Sequence, residues 1–162
     1  SADLRMRSAA LSAERSLMRA RIVAIRSGRY TAVKFERAGD RYRFALYQDG
    51  NGNGVRSAEI ASGVDRPVPG AAEWLRSDVA IGILQGLRIP DPSSPSRPLS
   101  NLDDPVRFNR SDLASFSPLG ESTPGSIYLT DNHARMAVVR VFGRTAKVRA
   151  LYFRAGDARW SP

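Results

Sequence analysis

The sequence predicts an α+β fold, with a long N-terminal amphipathic helix packed on an antiparallel, β-sandwich-like body. Three observations predict it. Residues 2–27 contain neither Gly nor Pro and carry apolar residues at helical spacing. Beyond Gly28 the chain is cut by Gly, Pro, Asn and Asp into short runs, several of them alternating in character. No second strong helical pattern follows the first. We read all 162 residues as one domain: a helix over 1–28, then a β-rich body over 29–162 with a long loop at 90–104. A chain of this length buries a core without staples.

The helix comes first. Leu4, Leu11, Met18 and Ile25 recur every seven residues, and Ala10, Leu17 and Ala24 fall one position before the last three. Together they draw a narrow apolar stripe. The expectation is that Leu4, Leu11, Leu17, Met18 and Ile25 form the packing face, laid on a sheet. Arg5, Arg7, Arg15, Arg19, Arg21 and Arg26 sit between and around them. Gly28 supplies the stop, because it takes a left-handed cap without a Cβ penalty. The helix is about 40 Å long at about 1.5 Å per residue. A helix of this length starting at the first residue is expected to be cut from a longer one.

The strands follow. Arg29–Arg37 alternates, with Thr31, Val33 and Phe35 on one face and Tyr30, Ala32, Lys34 and Glu36 on the other. Ala38-Gly39-Asp40 turns the chain, and Arg41–Gln48 pairs back as a hairpin with Tyr42, Phe44 and Leu46 on one face. Val55–Val64 is short and mixed. Val79–Ile89 is apolar but split by Gly82 and Gly86, which favours short strands. Residues 90–104 hold Pro90, Pro92, Pro95 and Pro98 and predict an irregular loop. Residues 107–116 have room for a short strand, and 117–125 are a further loop. Ser126–Thr130, Arg135–Phe142 and Ala146–Arg154 are the strongest strands. The tail from Ala155 is expected to be loose, with Trp160 tucked down.

Composition narrows the chemistry. The chain has no Cys, which removes disulfides, thiolate metal sites and thiol nucleophiles. It has one His, His133, in a turn where solvation is the ordinary role. No run of about 18 apolar residues is present to span a membrane. The net charge is +9, carried by 23 Arg and 2 Lys, and it is unevenly spread. Residues 1–48 carry +7, residues 49–134 carry −4, and residues 135–162 carry +6. Such basic ends attract nucleic acid, acidic lipid or an acidic partner, or pair with the acidic middle of the next subunit. Arginines scattered over solvated faces give the same totals.

The sequence has no paired-carboxylate arrangement in an apolar setting, no Gly-x-Ser-x-Gly elbow and no Gly-x-x-x-x-Gly-Lys loop. The usual pool of general bases and nucleophiles is nearly empty, so no enzymatic activity is expected. No cofactor is expected either, and one string bears on that. Asp49-Gly-Asn51-Gly-Asn53-Gly54 matches the first six positions of a calcium loop, Asp-x-Asn-x-Asn-Gly. The oxygens of Asp49, Asn51 and Asn53 are the candidate ligands. Against calcium, the twelfth position is Ile60, Glu59 comes one residue early, and the string leaves a strand instead of a helix. A plain Gly/Asn turn has the same composition.

These pieces, in this order, resemble a known family. Leu11–Gly28 is similar to the "LxxALxxARxxAIxxG"-like helix end of the GspH/FimT pseudopilins, minor subunits of type II secretion systems and type IV pili. The hairpin, the Asp49–Gly54 string, Phe116–Leu129 and the closing Val138–Arg149 fall in that family's order. The resemblance implies a pilin-like fold and a non-enzymatic structural subunit whose partners are other pilin or pseudopilin subunits. It implies anchoring in the inner membrane through an apolar segment upstream of these residues. This domain would then stand in the periplasm, and in a filament or at the cell surface once assembled. It implies no small-molecule substrate. Some FimT-like proteins are associated with DNA uptake through a C-terminal Gly-Arg-x-Arg motif. Here Gly143-Arg144 is followed by Thr-Ala, so Arg144, Lys147 and Arg149 form an imperfect counterpart. A DNA-binding minor pilin is therefore the alternative, and an adhesin-like surface module is a third.

Overall fold

The computed structural model describes residues 1–162. Helix α1 (Ala2–Ser27) begins with the Ser1 hydroxyl accepting the Leu4 N–H at 3.2 Å. Asp3 in its first turn and Arg26 in its last complement the helix dipole. It ends at Gly28, left-handed at φ 68°, whose N–H bonds the Ala24 carbonyl. The stop is thus the one the glycine predicts.

Two antiparallel sheets follow. The first contains β1 (Thr31–Ala38), β2 (Arg41–Gln48), β3 (Arg66–Pro67), β4 (Glu73–Trp74) and, from later in the chain, β9 (Leu113–Phe116). Its order is β3-β2-β1-β9, with β4 also on β2. The second contains β5 (Ala80–Ile81), β8 (Val106–Arg107), β10 (Gly125–Thr130), β11 (Arg135–Phe142) and β12 (Lys147–Arg154). Its order is β12-β11-β10-β5, with β8 also on β10. The hairpin pairs Val33 with Leu46 and Phe35 with Phe44, the register that the alternation predicts.

Both sheets turn their apolar faces to α1. Val33, Phe44, Leu46 and Phe116 from the first and Ile127, Leu129, Val139 and Val141 from the second share one buried cluster with α1. The helix lies against both sheets, not across one. The sheets themselves meet at Phe108, whose ring stacks on Phe35 at 5.6 Å. A Cβ at position 125 would fall 2.2 Å from the same ring, so Gly125 is required by close packing.

A second cluster covers the outer face of the second sheet. Tyr128, Met136, Val138 and Phe153 lie beneath Ile83, Leu84, Ile89, Leu99 and Trp160. Trp160 is 7% exposed and its indole N–H donates to the Pro90 carbonyl at 2.7 Å.

Three expectations need correction. The stretch 90–104 is not wholly irregular: β6 (Pro90–Asp91) and β7 (Ser94–Pro98) form a two-stranded ribbon. Pro90 and Pro98 face each other in it, and the Leu99 N–H closes it on the Ile89 carbonyl at 2.7 Å. An isolated ribbon tolerates proline because only one edge of each strand is paired. The tail is not loose, since Ser161 pairs with Tyr152 through two backbone bonds. The mixed stretch after Val55 contains a short helix, α2 (Ser57–Ser62), closed by Gly63. None of its residues is buried, so it leaves no apolar periodicity to read.

Candidate functional site

The main finding about α1 is which face is inside. Met6, Ala9, Ala10, Ala13, Ser16, Leu17, Ala20 and Ala24 are buried. Leu4, Leu11, Met18, Ile22 and Ile25 are 66%, 52%, 56%, 45% and 45% exposed. At about 100° per residue the second set lies roughly opposite the first. So the expected packing face holds fully only for Leu17: Leu4 and Leu11 stay more than half exposed, while Met18 and Ile22 border a cleft with Phe116 and Val148 and Ile25 lies beside Gly120, each still about half exposed. Leu17 is buried.

The physical reason is the groove. With sheets on both sides, the helix backbone must come close to each, and alanine and serine permit that approach. The larger apolar residues are left on the remaining side. Ile22, which completes the outward row one turn before Ile25, does not fit the heptad spacing and was not expected.

The flanks of α1 are tied to the body. The Asp3 carboxylate accepts from Arg135 of β11 at 2.6 Å. That bond and the Arg135 charge hold the Asp3 carboxyl below its usual range. The Arg7 guanidinium lies 4.3 Å from the Tyr152 ring centre. Arg15 pairs with Glu73 at 2.5 Å, and Arg5 approaches Asp78 at 3.9 Å. Arg21 donates to the Gly120 carbonyl at 2.9 Å. Two of the helix arginines therefore meet carboxylates of the acidic middle within the same chain. These ties fix the rotation of α1, and with it the outward direction of the apolar row.

The Asp49–Gly54 string is a tight loop between β2 and α2. Asp49, 5% exposed, accepts the backbone N–H groups of Asn51, Gly52 and Gly54 at 3.0, 3.0 and 2.9 Å. Burial pushes its carboxyl up, and these N–H bonds outweigh burial and hold it low. The neighbouring Asp65 carboxylate accepts the N–H groups of Gly50 and Arg56, each at 2.9 Å. Glu59 reaches back from α2 and accepts from the carboxamides of Asn51 at 2.5 Å and Asn53 at 2.6 Å.

Arg144 lies in a 3₁₀ turn, Gly143–Thr145, and Lys147 and Arg149 stand on β12, all three exposed. The register sets Arg149 opposite Arg140 and Lys147 opposite Phe142, so one sheet face gathers three of these cations. None of the four is paired with a carboxylate within 4 Å. Arg140 was not expected from the sequence; only the pairing register brings it in. His133 is exposed in the turn before β11, where the Asp131 carboxylate accepts its backbone N–H at 2.8 Å.

No protein-family model and no curated protein matches the sequence. Among solved structures, the fold matches that of the minor pseudopilin EpsH from the type 2 secretion system of Vibrio cholerae. The TM-score is 0.52 at 16% identity, over 94% of this chain and 98% of the other. The arrangement of a long first helix on antiparallel sheets is therefore a pseudopilin fold, shared over nearly the whole of both chains.

Proposed function

We propose that this chain is the globular domain of a minor pseudopilin, a non-enzymatic subunit of a type II secretion or type IV pilus machine. The observation that carries the reading is the outward row Leu4, Leu11, Met18, Ile22 and Ile25. Large apolar side chains left half or more exposed along a helix tied on both flanks, with Arg7, Glu14 and Arg15 between them, serve to meet another surface. In a pseudopilin fold that surface is a neighbouring subunit. The row is the face through which α1 joins a filament of pilin or pseudopilin subunits. The intact protein is held in the inner membrane by an apolar segment preceding Ser1, with this domain in the periplasm.

The test is the native sequence upstream of Ser1. A prepilin cleavage site followed by about 20 apolar residues, enough to span a bilayer, is the expected result. A native start codon at or near Ser1 removes the proposal.

A second reading has one observation in its favour. Arg140, Lys147 and Arg149 share one sheet face and Arg144 stands in the turn that joins their strands, all without carboxylate partners, which suits contact with DNA phosphates in a minor pilin serving uptake. On that reading, double-stranded DNA binds with an affinity that falls steeply with salt. Alanine at 144, 147 and 149 together weakens it and flattens the salt slope, while alanine at Arg5 and Arg7 does much less. Equal loss in both sets removes this reading.

A further inference from the structure

We propose that the free edge of β12 is a docking site for an extended acidic segment of another protein, which adds to the second sheet as a further antiparallel strand. β12 is the outermost strand of that sheet, and its register on β11 runs unbroken from Lys147 opposite Phe142 to Arg154 opposite Arg135. In an antiparallel pair, alternate residues turn their backbone N–H and C=O away from the partner strand. Tyr152 turns outward, since Ser161 takes both of its groups, at 2.7 and 3.0 Å. Val148 and Ala150 share that parity, so their N–H and C=O groups also point out of the sheet, and no group of the chain bonds to them. The Ser161 bridge and the Asp157 turn close the edge at Tyr152 and Arg154, and the stretch before them stays open. Ser161 already does for Tyr152 what the added strand does for Ala150 and Val148, in the same antiparallel sense.

The two faces of the edge set the chemistry of the segment. Towards α1, Val148 and Ala150 pack on the main core, and a cleft of about 260 Å³ opens between Met18, Ile22, Phe116, Ala146 and Val148. Side chains of the added strand opposite Val148 and Ala150 enter that side, so they are apolar. On the other face Lys147 and Arg149 are exposed, and neither has a carboxylate within 4 Å. Arg140 stands beside Arg149 on β11. The side chains set against Lys147 and Arg149 are therefore acidic. The same rule disfavours a second copy through its own β12, because antiparallel pairing centred on this stretch sets Arg149 against Arg149. An open edge is ordinarily guarded by charge. Here the guard is all of one sign, and an acidic strand of alternating character satisfies it.

The probe is a synthetic peptide, acetyl-Glu-Val-Glu-Leu-Glu-Val-Glu-amide, titrated into the isolated, isotope-labelled chain with amide exchange as the readout. Saturable binding is expected below about 1 mM peptide. Exchange at Val148 and Ala150 should slow at least about tenfold, while Arg149 and Leu151, which face β11, change little. A peptide of the same composition with its glutamates grouped, Glu-Glu-Glu-Glu-Val-Leu-Val, should not saturate. Nor should the first peptide when methylated on its Val and Leu nitrogens, which removes the strand's donors. Lys147→Glu with Arg149→Glu, both at the surface, should keep the circular dichroism of the parent and bind at least about tenfold more weakly. The inference is overturned by no saturation, by parent-like binding in that variant, by equal binding of the grouped peptide, or by unchanged exchange at Val148 and Ala150 at saturation. Either of the last two would mean that the cations attract any polyanion, DNA included. Slowing at Val148 and Ala150 on raising the protein concentration alone would make a second copy the occupant, and also overturns it. Only the isolated chain and a peptide are used, so the outcome is independent of any role in a filament.

Discussion

Alanines fill the inward face of α1, while leucine, methionine and isoleucine stand on its outward face. By hydrophobicity alone the two would be exchanged. The inward face is selected by distance: it sits in a groove between two sheets, and close approach requires small side chains. Interiors are packed near crystal density, so a methyl that fits contributes more than a larger group that forces the sheets apart. The outward face is under no such limit from this chain. Its large residues are about half or more exposed here, and on the proposed function they meet a second surface. If the proposed function holds, one helix carries two contacts with different requirements, and the inner one does most of the folding of this domain.

The contrast can be broken from the inside first. Leu17 is fully buried, and Leu17→Ala should destabilise the chain by about 2–5 kcal/mol, read as a lower urea midpoint with unchanged slope. Ala13→Leu tests the groove itself: forcing a larger apolar side chain into it should cost about 1–3 kcal/mol. A neutral or stabilising result there would mean the groove is not tight, and the explanation for the alanine face would fail.

The tie at the free end sharpens the comparison by pH. The folded Asp3 carboxyl lies below its ordinary value because Arg135 favours the charged form. Its contribution is therefore in place above about pH 4 and disappears as pH falls through the depressed value. Corrected for the intrinsic slowing of exchange in acid, protection at Leu4–Met6 should fall over that range while Ala20–Ala24 keep theirs. Asp3→Asn should show the lower protection already at pH 7. The smallest effect is predicted outside: Leu11→Ala or Met18→Ala should change the stability of the isolated chain by no more than about 0.5 kcal/mol.

What was legible in the sequence follows from the range over which each signal acts. The helix and its Gly28 stop, the 31–48 hairpin with its register, and the three closing strands all rest on local periodicity, and each is where the pattern puts it. The face of α1 was misread because Leu4, Leu11, Met18 and Ile25 are more conspicuous than alanines. Which side is inward depends on where two distant sheets close, a fact that no window of the helix contains. Helix α2 was invisible for want of a buried face, and with it went the direction of Glu59. The proline-rich ribbon was missed because its residues forbid most pairings, though not those of an isolated pair of strands. The two-residue strands β3, β4, β5 and β8 owe their existence to their partners. Arg140 joins the basic group only through strand register.

On the proposed function, the outward row of α1 serves assembly more than folding. Leu11→Glu and Met18→Glu placed together in the full-length protein and in the isolated chain test this most directly. The isolated chain should keep its urea midpoint, with stability changed by no more than about 0.5 kcal/mol. The full-length variant should no longer co-purify with the filament subunits of its own cell and should no longer support secretion or pilus function. Retained incorporation with retained function would contradict it. So would a large loss of stability in the isolated chain, because the row would then belong to the fold.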